Sequence, residues 1–402
     1  FLYSVPNQLL PMLGVQSTGP LAPTHMEQRI PLPGLGKHGL GNVGGTKELR
    51  IIYVTHHLCH AASVLFRSPF SDCAILTVDG YGERSATSFA RGDGLSIEQL
   101  AAVDSPHSLG SMYAAFTQLL GFRANNGEGK VMGLASYGTD RLVPAVRELV
   151  TLTDDGFKLD LDAFAFFHEH GPRYSDALVD RLGPARSADA ELTQHHKDIA
   201  RGLQAVTEDV LLHLARIVRE KAGPGRDGKH RLGMAGGVVL NCVANGRIMR
   251  EAGFDECFFQ PAADDAGTSM GAALWAYHCL LQQPRPAGVT ASDYLGHRNT
   301  DEQVEAELQR AAVTYEKLDN APDAAAEAIA NGKIIGWYQG AAEFGPRALG
   351  NRSILADPRN SKNKDTLNAR VKFREPFRPF APSCLESAVG DLFDCDVPSP
   401  YM

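Results

Sequence analysis

The sequence predicts an α/β protein in which two similar lobes enclose a cleft. Short β-rich stretches at 48–56, 73–79 and 87–94 predict an early group of strands. The stretch at 195–223 has apolar residues at helical spacing and predicts one long amphipathic helix. A strand–glycine–helix unit follows at 231–248. This order of elements favours the class: first the strands, then a long helix, then strand–glycine–helix units.

The overall composition excludes several classes of partner. The 402 residues carry a net charge of −8, which argues against a broad surface for nucleic acid or for an anionic membrane. No apolar run approaches the roughly 20 residues that a membrane span needs. The seven cysteines are scattered and form no CxxC pair, as is typical of reduced cytosolic thiols. We therefore expect a cytoplasmic protein that binds neither nucleic acid nor membrane.

The stretch HHLCHAA predicts a metal site. His56 and His60 stand four residues apart, so on a helix they project from one face. Two neutral imidazoles in that arrangement can bind one metal ion. A buried strand follows and ends in Asp79 and Gly80, which places a carboxylate on a glycine turn. Ordinary helix histidines often share this spacing, so the pair alone leaves both interpretations open.

Two further glycine-rich turns predict contact with a ligand. Gly236 and Gly237 follow a strand and would let a ligand lie against bare backbone, with Asn241 just beyond them. The pattern is neither GxGxxG nor a P-loop, which excludes a Rossmann or Walker site. Asp264 and Asp265 precede a helix of small residues, where an aspartate either binds a cation or caps the helix. The combined hypothesis is a metal–phosphate site formed by His56, His60, Asp79 and Asp265.

Lys130 lies in EGKVMGLASYG among glycines and small residues, where it either contacts a ligand or is simply solvated.

Near the C-terminal end, basic residues gather in about thirty positions of an otherwise acidic chain, interleaved with glycine, proline and aromatic residues. They are Arg347, Arg352, Arg359, Arg370, Lys372, Arg374 and Arg378. Arginine offers a bidentate fork for phosphate or carbamoyl oxygens, so we predict an anion pocket, with a nucleic-acid patch as the weaker alternative.

Together these stretches resemble the NodU/CmcH-type O-carbamoyltransferases, which act on antibiotics or nodulation factors. The resemblance spans roughly 55–385 and is carried by HHLCHAAS, LTVDGYGE, EGKVMGLASYG, GGVVLNCVANGRI, QPAADDAGTSMGAAL, GAAEFGPRALGNRSILADPR and VKFREPFRPFAPS. It implies an actin-like ATPase (ASKHA) domain similar to the tRNA threonylcarbamoyltransferase over 1–310. It also implies the start of an α/β YrdC-like domain over 311–402.

The resemblance implies a reaction in two steps. The YrdC-like domain would form carbamoyl adenylate from ATP and carbamoyl phosphate. The first domain would then transfer the carbamoyl group to the hydroxyl of a small-molecule acceptor at an iron(II)-type site. The implied metal ligands are His56, His60, Asp79 and Asp265. The implied adenylate- or ATP-binding residues are Gly80, Lys130, Gly236, Gly237, Asn241 and Gly267. Those implied for carbamoyl phosphate and ATP in the second domain are Arg347, Arg352, Lys372 and Arg378.

Three departures from the family pattern limit what the resemblance implies. Asp264 stands where the family usually has glycine, which leaves open which of the two aspartates binds the metal. The glycine-rich strand with a His-Asp pair that begins the family is absent, so the base that deprotonates the acceptor is unassigned. Segments like HVDG and LNTSFN, which complete the YrdC-like pocket, are absent too. We therefore expect that the sequence is incomplete at both ends.

Two other functions remain as alternatives. One is a tRNA threonylcarbamoyltransferase-type enzyme, against which the acidic balance and the arginine-rich segment speak. The other is a non-catalytic nucleotide-binding regulator of actin-like fold, which would not need both a metal site and an anion pocket. The acceptor is not identified by the sequence, although the irregular stretch 139–195 is expected to shape its pocket. A homodimer is left open.

Overall fold

The computed structural model describes residues 25–31, 48–166, 171–286 and 292–395 together with 399 and 401, with side chains from residue 52 onward. The strands in these ranges are β1 (His25–Pro31), β2 (Glu48–Val54), β3 (Asp72–Val78), β4 (Ser85–Asp93), β5 (Ser96–Asp104), β6 (Val150–Thr153), β7 (Gly156–Leu159), β8 (Arg231–Ala235), β9 (Glu256–Phe259), β10 (Ile335–Tyr338) and β11 (Arg352–Leu355). The helices there are α1 (His56–Arg67), α2 (Leu109–Leu119), α3 (Glu128–Ala135), α4 (Val143–Arg147), α5 (Asp176–Leu182), α6 (Gln194–Ala222), α7 (Cys242–Glu251), α8 (Asp265–Trp275), α9 (Asp301–Arg310), α10 (Ala321–Ala330), α11 (Lys362–Thr366) and α12 (Val389–Leu392).

A five-stranded sheet in the order β5-β4-β3-β8-β9 organises the N-terminal part. β3, β4 and β5 form an antiparallel meander, while β8 pairs parallel with β3 and β9 parallel with β8. β3 is buried along its whole length because both faces of the sheet are covered. Ile75 packs in the core on the side of α1, and Leu76 packs in the core on the side of α6. This alternation is the period of two that a strand imposes.

The predicted strands and the long helix are confirmed within a few residues. The unit predicted around Asp79 is present as β3, a glycine turn and β4. The predicted helix at 195–223 is α6, which ends where Gly223 adopts a φ of +67°. Besides the five-stranded sheet, the described residues contain three sheets of two strands each, so the expectation of two similar lobes stays a prediction.

The parallel part of the sheet brings three loops to one edge. β3 ends before Asp79, β8 ends before Gly236, and the chain after β9 leads into α8. Gly236 has a φ of +100°, and a Cβ there would lie 2.2 Å from the carbonyl oxygen of Val78, so only glycine fits. Ligands of open α/β sheets bind outside the carboxyl ends of the strands, and this edge is therefore the place to look for a site.

Gly271 lets α8 pack directly on α1. A Cβ at Gly271 would lie 1.8 Å from the carbonyl oxygen of Cys59. We expect Gly271→Ala to lower the free energy of unfolding by about 3 kcal/mol, because the two helices must separate. Gly129→Ala in α3 is the matched control, since a Cβ there meets nothing within 4 Å. It should be neutral or stabilising by up to about 1 kcal/mol, because alanine favours helix. Equal urea midpoints for the two variants would contradict this packing.

The C-terminal part contains α9, α10, the antiparallel pair β10–β11 and the short helices α11 and α12. It joins the N-terminal part through side chains described below. Across the described ranges, no helix combines the length and the apolar content needed to cross a bilayer.

Candidate metal centre

The start of α1 is fixed by the turn that follows β3. The backbone N–H of His56 donates to both carboxylate oxygens of Glu83, at 2.9 and 3.1 Å. A carboxylate at the first residue of a helix complements the helix dipole and its unpaired N–H groups. Glu83 lies in LTVDGYGE but carries no sequence signal for this contact, because the contact depends on the fold. Glu83 ties the histidine helix to the turn that carries Asp79.

Four predicted ligands meet beside this turn. The Nε2 atoms of His60 and His56 lie 2.9 and 3.3 Å from Oδ2 of Asp79, and 3.1 Å from each other. Oδ1 of Asp265 lies 3.6 Å from His56 Nε2 and 4.0 Å from His60 Nε2. One donor atom from each residue falls within a common spacing of 4.8 Å. His60 is fully buried whereas the Asp265 side chain is 80% exposed, so the cluster is open to solvent on the Asp265 side.

These spacings fit a divalent cation. Donor atoms bound to one cation at about 2.1 Å stand about 3.0–3.4 Å apart in tetrahedral or octahedral geometry. The spacings among His56, His60 and Asp79, from 2.9 to 3.3 Å, agree with that range to about 0.1 Å. Asp265 stands slightly farther out, at 3.6 and 4.0 Å from the two histidines. Two imidazole nitrogens with carboxylate oxygens suit iron(II), manganese or zinc. The residues present therefore fit a metal, with iron(II) as the ion that the resemblance implies.

The charges within the cluster favour an ionised carboxylate. Burial raises the pKa of Asp79, but the hydrogen bonds from His56 and His60 outweigh it and hold that pKa well below its usual range. For His56, burial lowers the pKa, and the hydrogen bond and charge of Asp79 raise it by more. An ionised Asp79 is the form that binds a cation.

His57 does not belong to the cluster. Its Nε2 lies 2.8 Å from the carbonyl oxygen of Ser85, which can only accept, so Nε2 carries the proton. Its Nδ1 then accepts from the hydroxyl of Thr77 at 2.7 Å. Burial, together with the charges of the neighbouring histidines, lowers the pKa of His57 to about 3. This histidine is neutral and joins α1 to β3 and β4.

The two aspartates before α8 have different positions. Oδ1 of Asp264 accepts from the backbone N–H of Ala266 at 3.2 Å and caps the helix. Asp265, the first residue of α8, reaches the histidines instead. The structure therefore places Asp265 in the cluster, as the sequence analysis preferred, and leaves the cap to Asp264.

Three of the glycines predicted to bind adenylate surround Asp79. Gly80 donates its N–H to Asp79 Oδ1 at 2.6 Å, and a Cβ at Gly237 would lie 3.1 Å from the same oxygen. Gly236 packs on the end of β3 as described. Gly267 lies in α8, where a Cβ would be 2.1 Å from the carbonyl oxygen of Ala262, so it serves close packing. The bare backbone beside Asp79 leaves room for a ligand at the metal centre.

Asn241 is already committed to contacts within the protein. Its amide exchanges two hydrogen bonds with Gln204, at 2.9 and 3.0 Å, and its oxygen also caps α7 at Ala244. Gln204 could not be predicted as this partner, because the sequence signal of its helix, α6, is the apolar periodicity alone. Adenylate binding by Asn241 stays a prediction.

Lys130 lies away from the metal centre. α2 separates the two. A Cβ at Gly110, near the start of α2, would touch the Asp79–Gly80 turn, so this end of the helix lies beside the metal centre. Gly121 follows the other end of α2. Eleven helical residues span about 16 Å. Gly121 and Lys130 line a cavity of about 380 Å³, where the Lys130 Nζ lies 2.6 Å from Oε1 of Glu375. Adenylate binding by Lys130 stays a prediction too.

Comparison with known proteins identifies the family of this chain. Residues 39–274 match the family described as carbamoyltransferase N-terminus, and residues 326–402 match carbamoyltransferase C-terminus. The chain belongs to the carbamoyltransferase family. The predicted membership of the NodU/CmcH-type group is thereby confirmed.

Proteins similar to this chain include two nodulation proteins and a cephem O-carbamoyltransferase. The chain is 40% identical to nodulation protein NolNO of Sinorhizobium fredii, over 86% of this chain and 49% of that protein. It is 38% identical to nodulation protein NolO of Bradyrhizobium diazoefficiens, over 85% and 60%. It is 26% identical to the 3'-hydroxymethylcephem-O-carbamoyltransferase of Amycolatopsis lactamdurans, over 89% and 64%. The chain thus spans between about half and two thirds of the length of these relatives.

The region that matches carbamoyltransferase C-terminus contains the predicted basic cluster, whose members lie in different surroundings. Arg347 donates to the carbonyl oxygen of Leu240 at 2.7 Å, which joins the two parts of the chain. Lys372 is exposed. A guanidinium nitrogen of Arg378 lies 3.7 Å from Oε2 of Glu375. A shared pocket for carbamoyl phosphate stays a prediction.

Arg352 has a structural partner, Glu343, that no local sequence pattern predicts. The buried carboxylate of Glu343 accepts from Arg352 Nε at 2.8 Å and from the backbone N–H groups of Leu349 and Asn351, at 2.7 and 2.8 Å. Charge density alone predicted an anion ligand, but here the guanidinium already neutralises a buried acid. The arrangement shapes the loop EFGPRALGNR.

Glu343→Gln should destabilise the fold in a pH-dependent way. Burial raises the pKa of Glu343, but Arg352 and the backbone N–H groups lower it to about 2. Because the folded pKa lies below the unfolded one, the carboxylate stabilises the fold above about pH 4.5 and loses this effect as the pH falls toward 2. We expect a cost of about 3 kcal/mol at pH 7, shrinking by about pH 3, in urea denaturation.

Glu307→Gln is the control for that experiment. Glu307 pairs with Arg310 on the surface, with both side chains largely exposed, so its replacement should change the free energy of unfolding little at any pH. If Glu343→Gln lowers the free energy of unfolding by the same amount at pH 7 and at pH 3, the stabilising role of the ionised Glu343 carboxylate is contradicted.

Proposed function

We propose that this chain is part of an O-carbamoyltransferase that forms carbamoyl adenylate from ATP and carbamoyl phosphate and transfers the carbamoyl group to the hydroxyl of a small natural product or sugar. The observation that carries the proposal is the meeting of His56, His60, Asp79 and Asp265 at the carboxyl edge of the sheet, in a chain of this family. The name of the cephem relative, an O-carbamoyltransferase, supports an oxygen acceptor on a small molecule.

The four side chains would hold the divalent cation, with Asp265 on the side open to solvent. When bound, the cation supplies positive charge that stabilises the leaving phosphate of AMP. Gly237 keeps a side chain away from Asp79, and Gly80, which follows Asp79, also lacks one, so the adenylate phosphate can lie against backbone there. The buried histidines fix the donor atoms because α1 is anchored by Glu83 at its first residue.

In the C-terminal part, Lys372 and Arg378 would bind carbamoyl phosphate and the phosphates of ATP, with Arg347 and Arg352 as the further predicted ligands. Positive charge offsets the repulsion between the two anionic substrates. Holding both sites in one chain would keep a hydrolysis-prone intermediate away from water.

The proposal also includes the fold, the cellular location and the partner of the protein. The unit of β3, glycine turn and β4 supports an actin-like (ASKHA) N-terminal domain, and the C-terminal part would begin a YrdC-like domain. The cysteines in the described ranges are all free thiols, which supports a cytoplasmic location. The expected partner is the small-molecule acceptor rather than nucleic acid or membrane.

The test is the dependence of AMP and pyrophosphate formation on carbamoyl phosphate in the full-length protein. We expect AMP release only when carbamoyl phosphate is present, and a carbamoylated product when a hydroxyl acceptor is added. An acceptor panel should include hydroxymethylcephems and oligosaccharides, with products identified by the mass of the added carbamoyl group. AMP release that is indifferent to carbamoyl phosphate would overturn the proposal.

A further inference from the structure

The segment FREPFRP, residues 373–379, lies along α3 and will be called the strap. Its Glu375 forms the ion pair with Lys130, 245 residues away in sequence, at 2.6 Å. The two side chains are only 30% and 25% exposed, so water screens the pair incompletely. Burial raises the pKa of Glu375, but the hydrogen bond from Lys130 outweighs it and keeps the carboxyl ionised.

Aromatic contacts flank the ion pair. The Phe377 ring meets the rings of Phe122 and Tyr137 edge-on, with centroids 6.4 and 6.5 Å apart. The Lys130 ammonium also lies 5.6 Å from the centre of the Phe122 ring. A Cβ at Gly133 of α3 would be 3.4 Å from Pro379, so a methyl group added there would touch the strap. The strap is seated on α3 at several points.

The strap is also braced within the C-terminal part. Nε of Arg374 donates to the side-chain oxygen of Asn368 at 2.7 Å, and the amide of Asn368 donates to the carbonyl oxygen of Arg378 at 3.0 Å. Lys372 immediately precedes the strap, and Arg378 is part of it. Whatever fixes Glu375 therefore fixes the two residues that we propose bind carbamoyl phosphate.

We propose that Lys130 and Glu375 form a latch that holds the adenylate-forming part against the transfer part, so that carbamoyl adenylate passes between the two sites without escaping. The inference rests on the proposed function and deepens it. Lys130 is then a positioning residue, in place of the adenylate ligand that the sequence suggested. Its position beyond the far end of α2 from the metal centre agrees with this role.

The experiment measures carbamoylated acceptor formed per AMP released, in the full-length protein. Wild type should give a ratio near one. Lys130→Gln and Glu375→Gln should each retain AMP formation while the ratio falls about fivefold, because the intermediate is lost to hydrolysis. The double exchange Lys130→Glu with Glu375→Lys should restore the ratio of carbamoylated acceptor to AMP most of the way to the wild-type value. Lys317→Gln, which removes a surface ion pair with Glu305, should leave the ratio unchanged.

Two results would overturn the latch. One is an unchanged ratio in both single variants. The other is asymmetry, in which Lys130→Gln raises the KM for ATP or slows transfer while Glu375→Gln behaves as wild type, since that pattern means direct contact of Lys130 with the nucleotide. Failure of the proposed function itself is distinguishable, because wild type would then release no AMP in response to carbamoyl phosphate.

Discussion

His60→Ala should abolish carbamoyl transfer to the acceptor, while ATP and carbamoyl phosphate still form carbamoyl adenylate, which water then hydrolyses to AMP. His60 is fully buried, and its Nε2 lies 2.9 Å from Asp79 Oδ2, 3.1 Å from His56 Nε2 and 4.0 Å from Asp265 Oδ1. Its removal deletes one of the four donors, and changes even outside the ligand shell typically cost about 10–100-fold in metal affinity or activity. We expect transfer to fall more than about 100-fold. Product and AMP should be measured in the same reaction.

The neighbouring histidine provides the matched control. Glutamine at position 57 can still accept from the Thr77 hydroxyl and donate to the Ser85 carbonyl, so His57→Gln should keep its metal and its transfer rate per folded molecule. It should lose some stability, because a buried ring is replaced by a flexible chain. Loss of AMP formation together with transfer in His60→Ala would contradict the division of the two steps between the two parts of the chain.

Lys372→Ala should show the opposite pattern. The exposed Lys372 ends the turn after α11 and immediately precedes the strap. Removing a charge that neutralises a transferring phosphoryl group typically costs about 100-fold or more, so AMP formation should fall by that order. Transfer from chemically prepared carbamoyl adenylate, followed by rapid quenching, should continue.

Lys362→Ala is the control for the C-terminal site, because Lys362 is exposed at the start of α11 in the same basic region. It should affect neither step. If Lys372→Ala forms AMP at the wild-type rate, or loses transfer from supplied adenylate, Lys372 does not serve the first step.

The part of this account that could be predicted from the sequence rests on local spacing. His56 and His60 face together because four residues make about one helical turn. Asp79 was predicted because a buried apolar strand ends there at a glycine turn. That Asp265 reaches the same point depends on β8 and β9 joining the sheet in parallel beside β3, which brings their following loops to one edge. In the sequence, only the order of the strand and glycine-turn motifs indicated that Asp265 would meet Asp79.

The contacts that could not be predicted are long-range pairings of ordinary polar residues. Glu83 caps α1, Gln204 binds Asn241, and Glu375 binds Lys130. None of these partners carries a local signal, because each is chosen by which loops the fold brings together. Arg352 shows the same limit, since a local excess of positive charge does not reveal a buried glutamate that neutralises it.

The central claim is that two imidazoles and two carboxylates form one metal centre. The most direct test is metal analysis of the full-length protein, prepared without oxygen and with iron(II) supplied, followed by X-ray absorption spectroscopy. The account predicts one divalent cation per chain, with two imidazole ligands, oxygen donors and no sulfur, and loss of that cation in His60→Ala. A protein that retains no cation, or that binds one through cysteine sulfur, would contradict it.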